Sequence, residues 1–248
     1  MTGVSTARRE AGVLLPISAL PARHGVGDIG FFAECFIDLL RQAGARYWQI
    51  LPIHPLGFGN SPYQPYSSFA GDPLLISLDA LYPQGLLKAP PAPFHPHATR
   101  VDYEAVRAYK DAVLRQAFQA FKPTIAYEAF AKTPWVVLFS VFMAFKKANG
   151  MRCWLDWPKE QKNWPLDRAA DLSPFEDAIR FETFQQYLFH TQWASLKRYA
   201  NGRGVSIIGD IPIYVGLDSV DVWAGRENFL LDADGRPTFV AGVPPDYF

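Results

Sequence analysis

Short apolar runs bounded by glycine and proline predict the strands of this chain. Residues 12–17 and 46–52 form two such runs, and residues 205–210 form a third. Between the first two, residues 31–43 repeat apolar side chains at helical spacing, with Gly44 placed to end the helix. This order of strand, helix and strand over about 40 residues is typical of a βαβ unit, so we predict a parallel sheet.

The middle of the chain, residues 104–200, carries helical rather than strand periodicity. Residues 110–121 and 135–147 each repeat apolar side chains at helical spacing. A further helix is predicted to begin at Ser173, which can cap it while Glu176 returns the hydrogen bond. This helical block separates the second predicted strand from the third.

Together these patterns predict an α/β fold, the N-terminal part of a (β/α)8 barrel with a large helical insertion. The functional residues of such barrels lie at the carboxyl ends of the strands. A doubly wound sheet is the alternative. Closing a barrel takes about eight strands, and only three are visible here, so the barrel is predicted to be incomplete. The predicted segments are 1–84, with the first strands and an aromatic loop, the mainly helical 85–203, and 204–248 with the third strand.

Composition excludes several classes of function. The 248 residues include 24 basic and 24 acidic side chains, so no surplus of positive charge exists to bind nucleic acid. The sequence shows no signal peptide and no apolar stretch of membrane-spanning length, which predicts a soluble, cytoplasmic protein without a membrane partner. Cys35 and Cys153 show no zinc-like spacing with histidines, so no metal site is predicted.

An aromatic loop, residues 55–69, follows the second predicted strand. It interleaves aromatic side chains with small hydroxyl and amide side chains. A sugar presents apolar C–H faces beside many hydroxyl groups, so this mixture suits a sugar ligand. It also suits a compact loop that is packed by its own aromatic side chains.

Candidate carboxylates lie near the third predicted strand and in the last residues. Asp210 ends that strand, where a barrel places functional acids, although it also fits a turn cap or a partner for an arginine. Asp218 and Asp221 are expected to be solvated or to cap a helix. Glycosidases need two carboxylates that face each other, and Asp210 with Asp246 is one conceivable pair.

Three glycines, Gly25, Gly27 and Gly30, spell G-x-G-x-x-G between a predicted strand and a predicted helix. As a dinucleotide site the pattern is weak, because the loop before it is long and no strand-end acid follows about 20 residues later. No organic cofactor is predicted from it.

Five longer segments carry a more specific signal because they occur in a fixed order along the whole chain. They are AGVLLPISALPARHGVGDIG (11–30), AGARYWQILPIHPLGFGNSPYQPYSSFAGDPLLISLDAL (43–81), VDY (101–103), IIGDIPIYVGLDSVDVW (207–223) and DADGRPTFVAGVPPDYF (232–248). In these segments the sequence resembles glycoside hydrolase family 77, the amylomaltases.

The resemblance implies transfer of an α-1,4-glucan segment to the 4-hydroxyl of an acceptor sugar with retention of configuration. Such a reaction proceeds by double displacement through a covalent glycosyl-enzyme intermediate. It also implies a (β/α)8 barrel with helical insertions, a maltooligosaccharide or α-glucan substrate, and neither a metal nor an organic cofactor.

The resemblance also assigns site residues. One set would contact the glucan near the cleaved bond, and a second set would begin a loop that covers the acceptor side. Phe58 departs from the family, which often has Tyr there, and so offers a stacking face without a hydroxyl. Arg107 stands where some members carry a sugar-stacking Tyr. The first set is Ser61, Tyr63 and Asp210, and the second is Asp246, Tyr247 and Phe248.

The catalytic carboxylates of the family lie in later strands and are expected beyond residue 248. Asp210 is therefore not assigned as the nucleophile, and this chain alone is expected to be inactive. Two other interpretations stay open at this point: a non-catalytic glucan-binding or vestigial product, and an α-glucan hydrolase, since exclusion of water decides between transfer and hydrolysis.

Overall fold

A three-stranded parallel sheet lies within the part of the chain that the structure, a computed structural model, describes: residues 9–95, 100–239 and 242. The strands lie in the order β1-β2-β3, and Val13, Trp48 and Ile207 are neighbours across them. This confirms an α/β fold with parallel strands. The strands are β1 (Gly12–Leu14), β2 (Tyr47–Gln49) and β3 (Ser206–Ile208).

Helices supply most of the remaining regular structure, as the periodicity predicts. Helix α1 connects β1 to β2, and α2 to α6 lie between β2 and β3 in the chain. The helices are α1 (Phe31–Gln42), α2 (Tyr103–Ala120), α3 (Ile125–Ala131), α4 (Pro134–Ala148), α5 (Lys159–Asp167), α6 (Glu176–Gly202) and α7 (Val220–Ala224).

Helix α1 ends where the sequence predicts, at a glycine with left-handed backbone. Gly44 has φ of 76°, and its amide donates to the carbonyl of Arg41. The next amide, that of Ala45, donates to the carbonyl of Leu40 at 2.9 Å. These two bonds form a Schellman motif, which satisfies carbonyl groups that the helix end leaves without partners.

The strands are shorter and more exposed than predicted. Val13 and Leu14 of β1 are 41% and 55% exposed, and Ile208 of β3 is exposed as well. Only Trp48, on the central strand, is fully buried. The prediction of three fully buried strands is therefore wrong for the described residues, because β1 and β3 each have a strand neighbour on one side only.

The G-x-G-x-x-G pattern has a packing role in this structure. A Cβ added to Gly27 would lie 2.0 Å from the carbonyl oxygen of Ile17, and one added to Gly30 would lie 2.2 Å from the hydroxyl of Ser77. Both glycines are thus required by close contacts within the fold.

The chain divides into two compact units, each built from separated stretches of sequence. Each of the three predicted segments, 1–84, 85–203 and 204–248, contributes residues to both units. The first unit contains the described residues up to Ile53, Gly71–Thr124 and Gln185–Ile211; the second contains His54–Ala70, Ile125–Phe184 and the described residues from Pro212 onward.

Aromatic side chains fill the core of the second unit around α4. Phe145 is fully buried and contacts Phe175 edge-to-face at 5.0 Å between ring centroids. It also meets Trp223, whose ring stacks on that of Trp164 at 6.0 Å. Much of the high tryptophan content thus serves packing. The fully buried large aromatic residues of this core are Phe139, Phe142, Phe145, Trp154 and Trp223.

Among the helices that the structure describes, none alone is both long and apolar enough to cross a membrane. Helices α3 and α4 reach that length and composition only as a pair, with a bend of 74° between them.

Candidate functional site

The aromatic loop, residues 55–69, folds back on itself in the second unit. Leu56 and Pro65 form an antiparallel bridge, and the amide of Tyr66 donates to the carbonyl of Pro55 at 3.1 Å. At the turn between them Gly59 has φ of 67° and allows the chain to reverse. The loop therefore has closely spaced ends and a defined tip.

Two predicted site residues lie together near this tip. The amide of Tyr63 donates to the hydroxyl oxygen of Ser61 at 3.3 Å, which fixes the local turn. Tyr63 is 45% exposed, and the next residue, Gln64, is exposed too. The tip thus presents a phenol, a hydroxyl and an amide together, a combination that can stack on a sugar and hydrogen-bond to it.

A groove of about 820 Å³ begins at Gln64 and runs along the second unit. Its walls combine exposed aromatic side chains, among them Tyr214 and Phe239, with apolar residues and the amide of Asn228. Ligand sites of this kind combine apolar walls with a few polar groups. The lining residues are Gln64, Tyr214–Leu217, Val222, Asn228–Leu231, Pro237, Phe239 and Gly242.

The returning limb of the aromatic loop, residues 65–69, is hydrogen-bonded to the start of α7. The amide of Val220 donates to the carbonyl of Tyr66 at 2.9 Å. The amide of Ser68 donates to Oδ2 of Asp221, also at 2.9 Å, and the hydroxyl of Ser68 bonds to the same carboxylate. Burial raises the pKa of Asp221, while the bonds from Ser68 oppose that rise.

Two further contacts complete the support of the loop. Nδ1 of His54 lies 2.9 Å from the carbonyl oxygen of Ala70, which joins the residues that flank the loop. Ser67 accepts hydrogen bonds at its hydroxyl oxygen from the amides of Phe69 and Ala70, each at 3.1 Å. These hydrogen bonds hold the ends of the loop backbone in place.

Capping is wrong as the expected role of Asp218 and Asp221, although both side chains remain partly exposed. Ser219 caps α7 by accepting from the amide of Val222, so neither aspartate is the cap. Asp218 accepts from the buried ammonium group of Lys146 at 2.5 Å, and Asp221 binds Ser68. No local signal reveals the second contact, because 153 residues separate its two partners.

Asp210 lies two residues beyond β3, in the first unit. The amide of Ile211 donates to its Oδ1 at 2.8 Å, and the side chain is partly exposed. Ser61 and Tyr63 belong to the second unit, so their predicted grouping with Asp210 stays a prediction. The other predicted contacts, Asp246, Tyr247 and Phe248, lie outside the described residues.

Metal ligands are not clustered in the part of the chain that the structure describes, since no three His, Cys, Asp or Glu side chains there are placed to hold an ion. Within the same residues both cysteines are free, Cys35 exposed and Cys153 partly buried. Among the described side chains at the loop tip, Ser61, Tyr63 and Gln64 can hydrogen-bond, and the ring of Tyr63 can stack.

Comparison with known proteins places these features in a family. A family model described as 4-alpha-glucanotransferase, glycoside hydrolase family 77, matches residues 15–248. The chain belongs to the 4-alpha-glucanotransferase family. It is 43% identical over 251 residues to the 4-alpha-glucanotransferase of Thermus thermophilus, covering 97% of this chain and 49% of that protein.

Other members of the 4-alpha-glucanotransferase family match to the same extent. The 4-alpha-glucanotransferase of Synechocystis sp. is 42% identical, with 97% of this chain and 50% of that protein covered. The solved structure of the Streptococcus agalactiae amylomaltase in complex with acarbose superposes with a TM-score of 0.86 at 35% identity, covering 97% of this chain and 51% of that one. The chain thus spans about half the length of the relatives it matches.

Proposed function

We propose that this chain acts in a 4-α-glucanotransferase, which moves α-1,4-glucan segments between maltooligosaccharides by a retaining double displacement. The observation that carries the proposal is the family match over residues 15–248, which includes the aromatic loop and the groove beside it. The three parallel strands with their intervening helices support the proposal that they begin a (β/α)8 barrel with a helical insertion.

The predicted site residues would divide the glucan contacts between them. Tyr63 would stack on or hydrogen-bond to a sugar, and Ser61 would contribute its hydroxyl. Asp210 would accept hydrogen bonds from sugar hydroxyls near the cleaved bond. Asp246, Tyr247 and Phe248 would cover the acceptor side, in the stretch of sequence that follows the groove-lining Gly242.

The bond-breaking groups would come from sequence beyond residue 248. In a retaining double displacement one carboxylate attacks the anomeric carbon while a carboxylic acid protonates the departing oxygen. The same acid, now a carboxylate, then takes the proton of the acceptor 4-hydroxyl as that oxygen displaces the enzyme. In this proposal Asp210 binds the glucan and takes neither role.

Calorimetric titration of the 248-residue chain with maltoheptaose tests the binding role. Replacing Tyr63→Ala should weaken binding about 5-fold to 30-fold, since Tyr63 would lose a stacking contact, a hydrogen bond or both, each worth roughly 1 kcal/mol. Tyr82→Ala is the matched control, because Tyr82 is also 45% exposed but lies in the first unit. Equal affinities for the two variants, or a wild-type chain that binds no maltoheptaose, would contradict the proposal.

The same preparations, incubated with maltotriose, should release no glucose above a protein-free control. Glucose release that follows the purified chain through gel filtration would show that the catalytic carboxylates lie within residues 1–248 after all.

A further inference from the structure

Asp221 stands out because its half-buried carboxylate is hydrogen-bonded to a residue far away in the sequence, with a favourable charge interaction from His54 beside it. It is the second residue of the short helix α7, and Ser219 already caps that helix. Its own partner is Ser68, whose amide and hydroxyl both bond to the carboxylate. The carboxylate thus holds the returning limb of the aromatic loop and is not needed as the helix cap.

Removing a carboxylate from water costs free energy that hydrogen bonds recover only in part. In agreement with this cost, burial is the largest influence on the pKa of Asp221 and raises it. If packing were its only role, an apolar residue at this position would avoid the desolvation cost of the carboxylate. An acceptor is needed at this position because the partly buried amide of Ser68 would otherwise lose its partner.

The hydrogen bond between Ser68 and Asp221 acts on the loop that carries the predicted site residues. Ser68 lies five residues after Tyr63, on the limb that returns from the loop tip. The neighbouring tie, from the amide of Val220 to the carbonyl of Tyr66, uses backbone atoms only and survives any side-chain change. Of these two hydrogen bonds to α7, the one from Ser68 depends on a side chain.

We infer that Asp221 is a positioning residue, which holds the aromatic loop in the conformation that presents Ser61 and Tyr63 to a glucan. This inference rests on the proposed function for the identity of the ligand. The hold on the loop itself rests on the contacts between Asp221 and Ser68.

Two readouts on the 248-residue chain test the inference. In Asp221→Ala the Ser68 amide should exchange its hydrogen at least about tenfold faster, and maltoheptaose should bind about fivefold more weakly, by loss of a charge-assisted hydrogen bond. Asp221→Asn should stay within about twofold of wild type in both, because its amide oxygen can accept from the Ser68 amide and its NH2 group can donate to the hydroxyl.

Asp111→Ala, which removes a half-exposed aspartate from α2 in the first unit, is the matched control and should change neither readout. An Asp221→Ala chain whose Ser68 exchange or maltoheptaose affinity stays within about twofold of wild type overturns the inference. So does an Asn variant that behaves like the Ala variant. If the wild-type chain binds no maltoheptaose, the proposed function fails, and the Ser68 exchange rates alone decide whether Asp221 holds the loop.

Discussion

At the residue scale, two buried lysines in the described part of the chain have specific partners. Lys110 is almost fully buried and donates to the carbonyls of Leu74 and Ile76 at 2.6 and 3.0 Å. Burial lowers its pKa, since desolvation disfavours the charged ammonium group. Lys146 is buried with Asp218 as its partner. In each case the fold offsets a desolvation cost with directed hydrogen bonds.

Asp221 gives this cost a measurable pH dependence. Its pKa is raised in the folded chain, so the folded state favours the protonated form, and the associated stability is present below about pH 4 and lost as pH rises through the folded pKa. An asparagine carries no such charge. We therefore expect Asp221→Asn to gain free energy of unfolding relative to wild type at pH 7, and the gain to shrink towards pH 4.

Urea unfolding of both proteins at pH 4 and pH 7 checks this expectation. Because only the difference between the two proteins is compared, titrating groups that do not interact with Asp221 largely cancel. His54 does interact with it, so the same comparison in a His54→Gln background separates the contribution of that pair. A gain that is larger at pH 4 than at pH 7 would show that the Ser68 bonds outweigh the desolvation of the carboxylate.

The sequence predicts the chemistry of the site better than the contacts that support it. The composition of residues 55–69 predicts an aromatic loop after the second strand, and Ser61 and Tyr63, which the family resemblance assigns, lie near its tip. The bond between Ser68 and Asp221 joins positions far apart in sequence, and no local pattern encodes such a pair. Only folding brings these two residues together.

At the element scale, helices with strong periodicity are predicted closely and their ends less well. The predicted helix at 135–147 is found at Pro134–Ala148. The capping box predicted at Ser173 is wrong: a 3-10 turn, Ser173–Phe175, precedes α6, and Asp171 accepts from the Ser173 amide. That bond lowers the pKa of Asp171. The carboxylate of Asp171 is thus the acceptor in place of the predicted Ser173 hydroxyl, since Asp side chains favour turns of this kind.

Gly44 offers a test of what an element boundary contributes. A Cβ at this position would meet nothing within 4 Å, so any cost of Gly44→Ala comes from the positive φ alone. We expect a loss of about 1 kcal/mol in the free energy of unfolding. Gly202→Ala is the matched control, because Gly202 also has open space around it but no positive φ.

Urea denaturation followed by circular dichroism measures both glycine variants. Gly202→Ala should be neutral or slightly stabilising, since alanine is the better helix former at the end of α6. Equal urea midpoints for the two variants would mean that the left-handed residue at the end of α1 carries no net cost.

At the scale of the whole molecule, apolar groups remain exposed along the sheet. Leu14 and Ile208 lie on its two outer strands, and Ile211 follows β3 with most of its surface exposed. Exposed apolar strands at a sheet edge favour pairing with other chains. The residue types of the strands predict burial on both faces, whereas the described fold covers them only partly, which is why strand location is predicted and strand burial is not.

We expect the 248-residue chain to self-associate in solution through this sheet. Leu14→Lys places a charge on the outer strand β1 and should shift the chain towards monomer in light scattering, because a charged edge resists pairing. Leu166→Lys is the control, since Leu166 is similarly exposed but lies on α5. A monodisperse wild-type monomer that unfolds in one cooperative transition would contradict the expectation.

The pairing of β2 with β3 has a consequence for folding during protein synthesis. Tyr47 of β2 pairs with Ser206 of β3. At a synthesis rate of 5–20 residues per second, β3 therefore leaves the exit tunnel roughly 10–30 s after β2. β1, α1 and β2 can assemble meanwhile, since Trp48 already has Phe36 and the carbonyl of Leu15 as partners. Until β3 is synthesised, the backbone groups on the other side of β2 have no strand partner, and they can meet nascent chains on neighbouring ribosomes of the same messenger RNA. Translation speed and chaperone supply would thus govern how much of this chain reaches its fold.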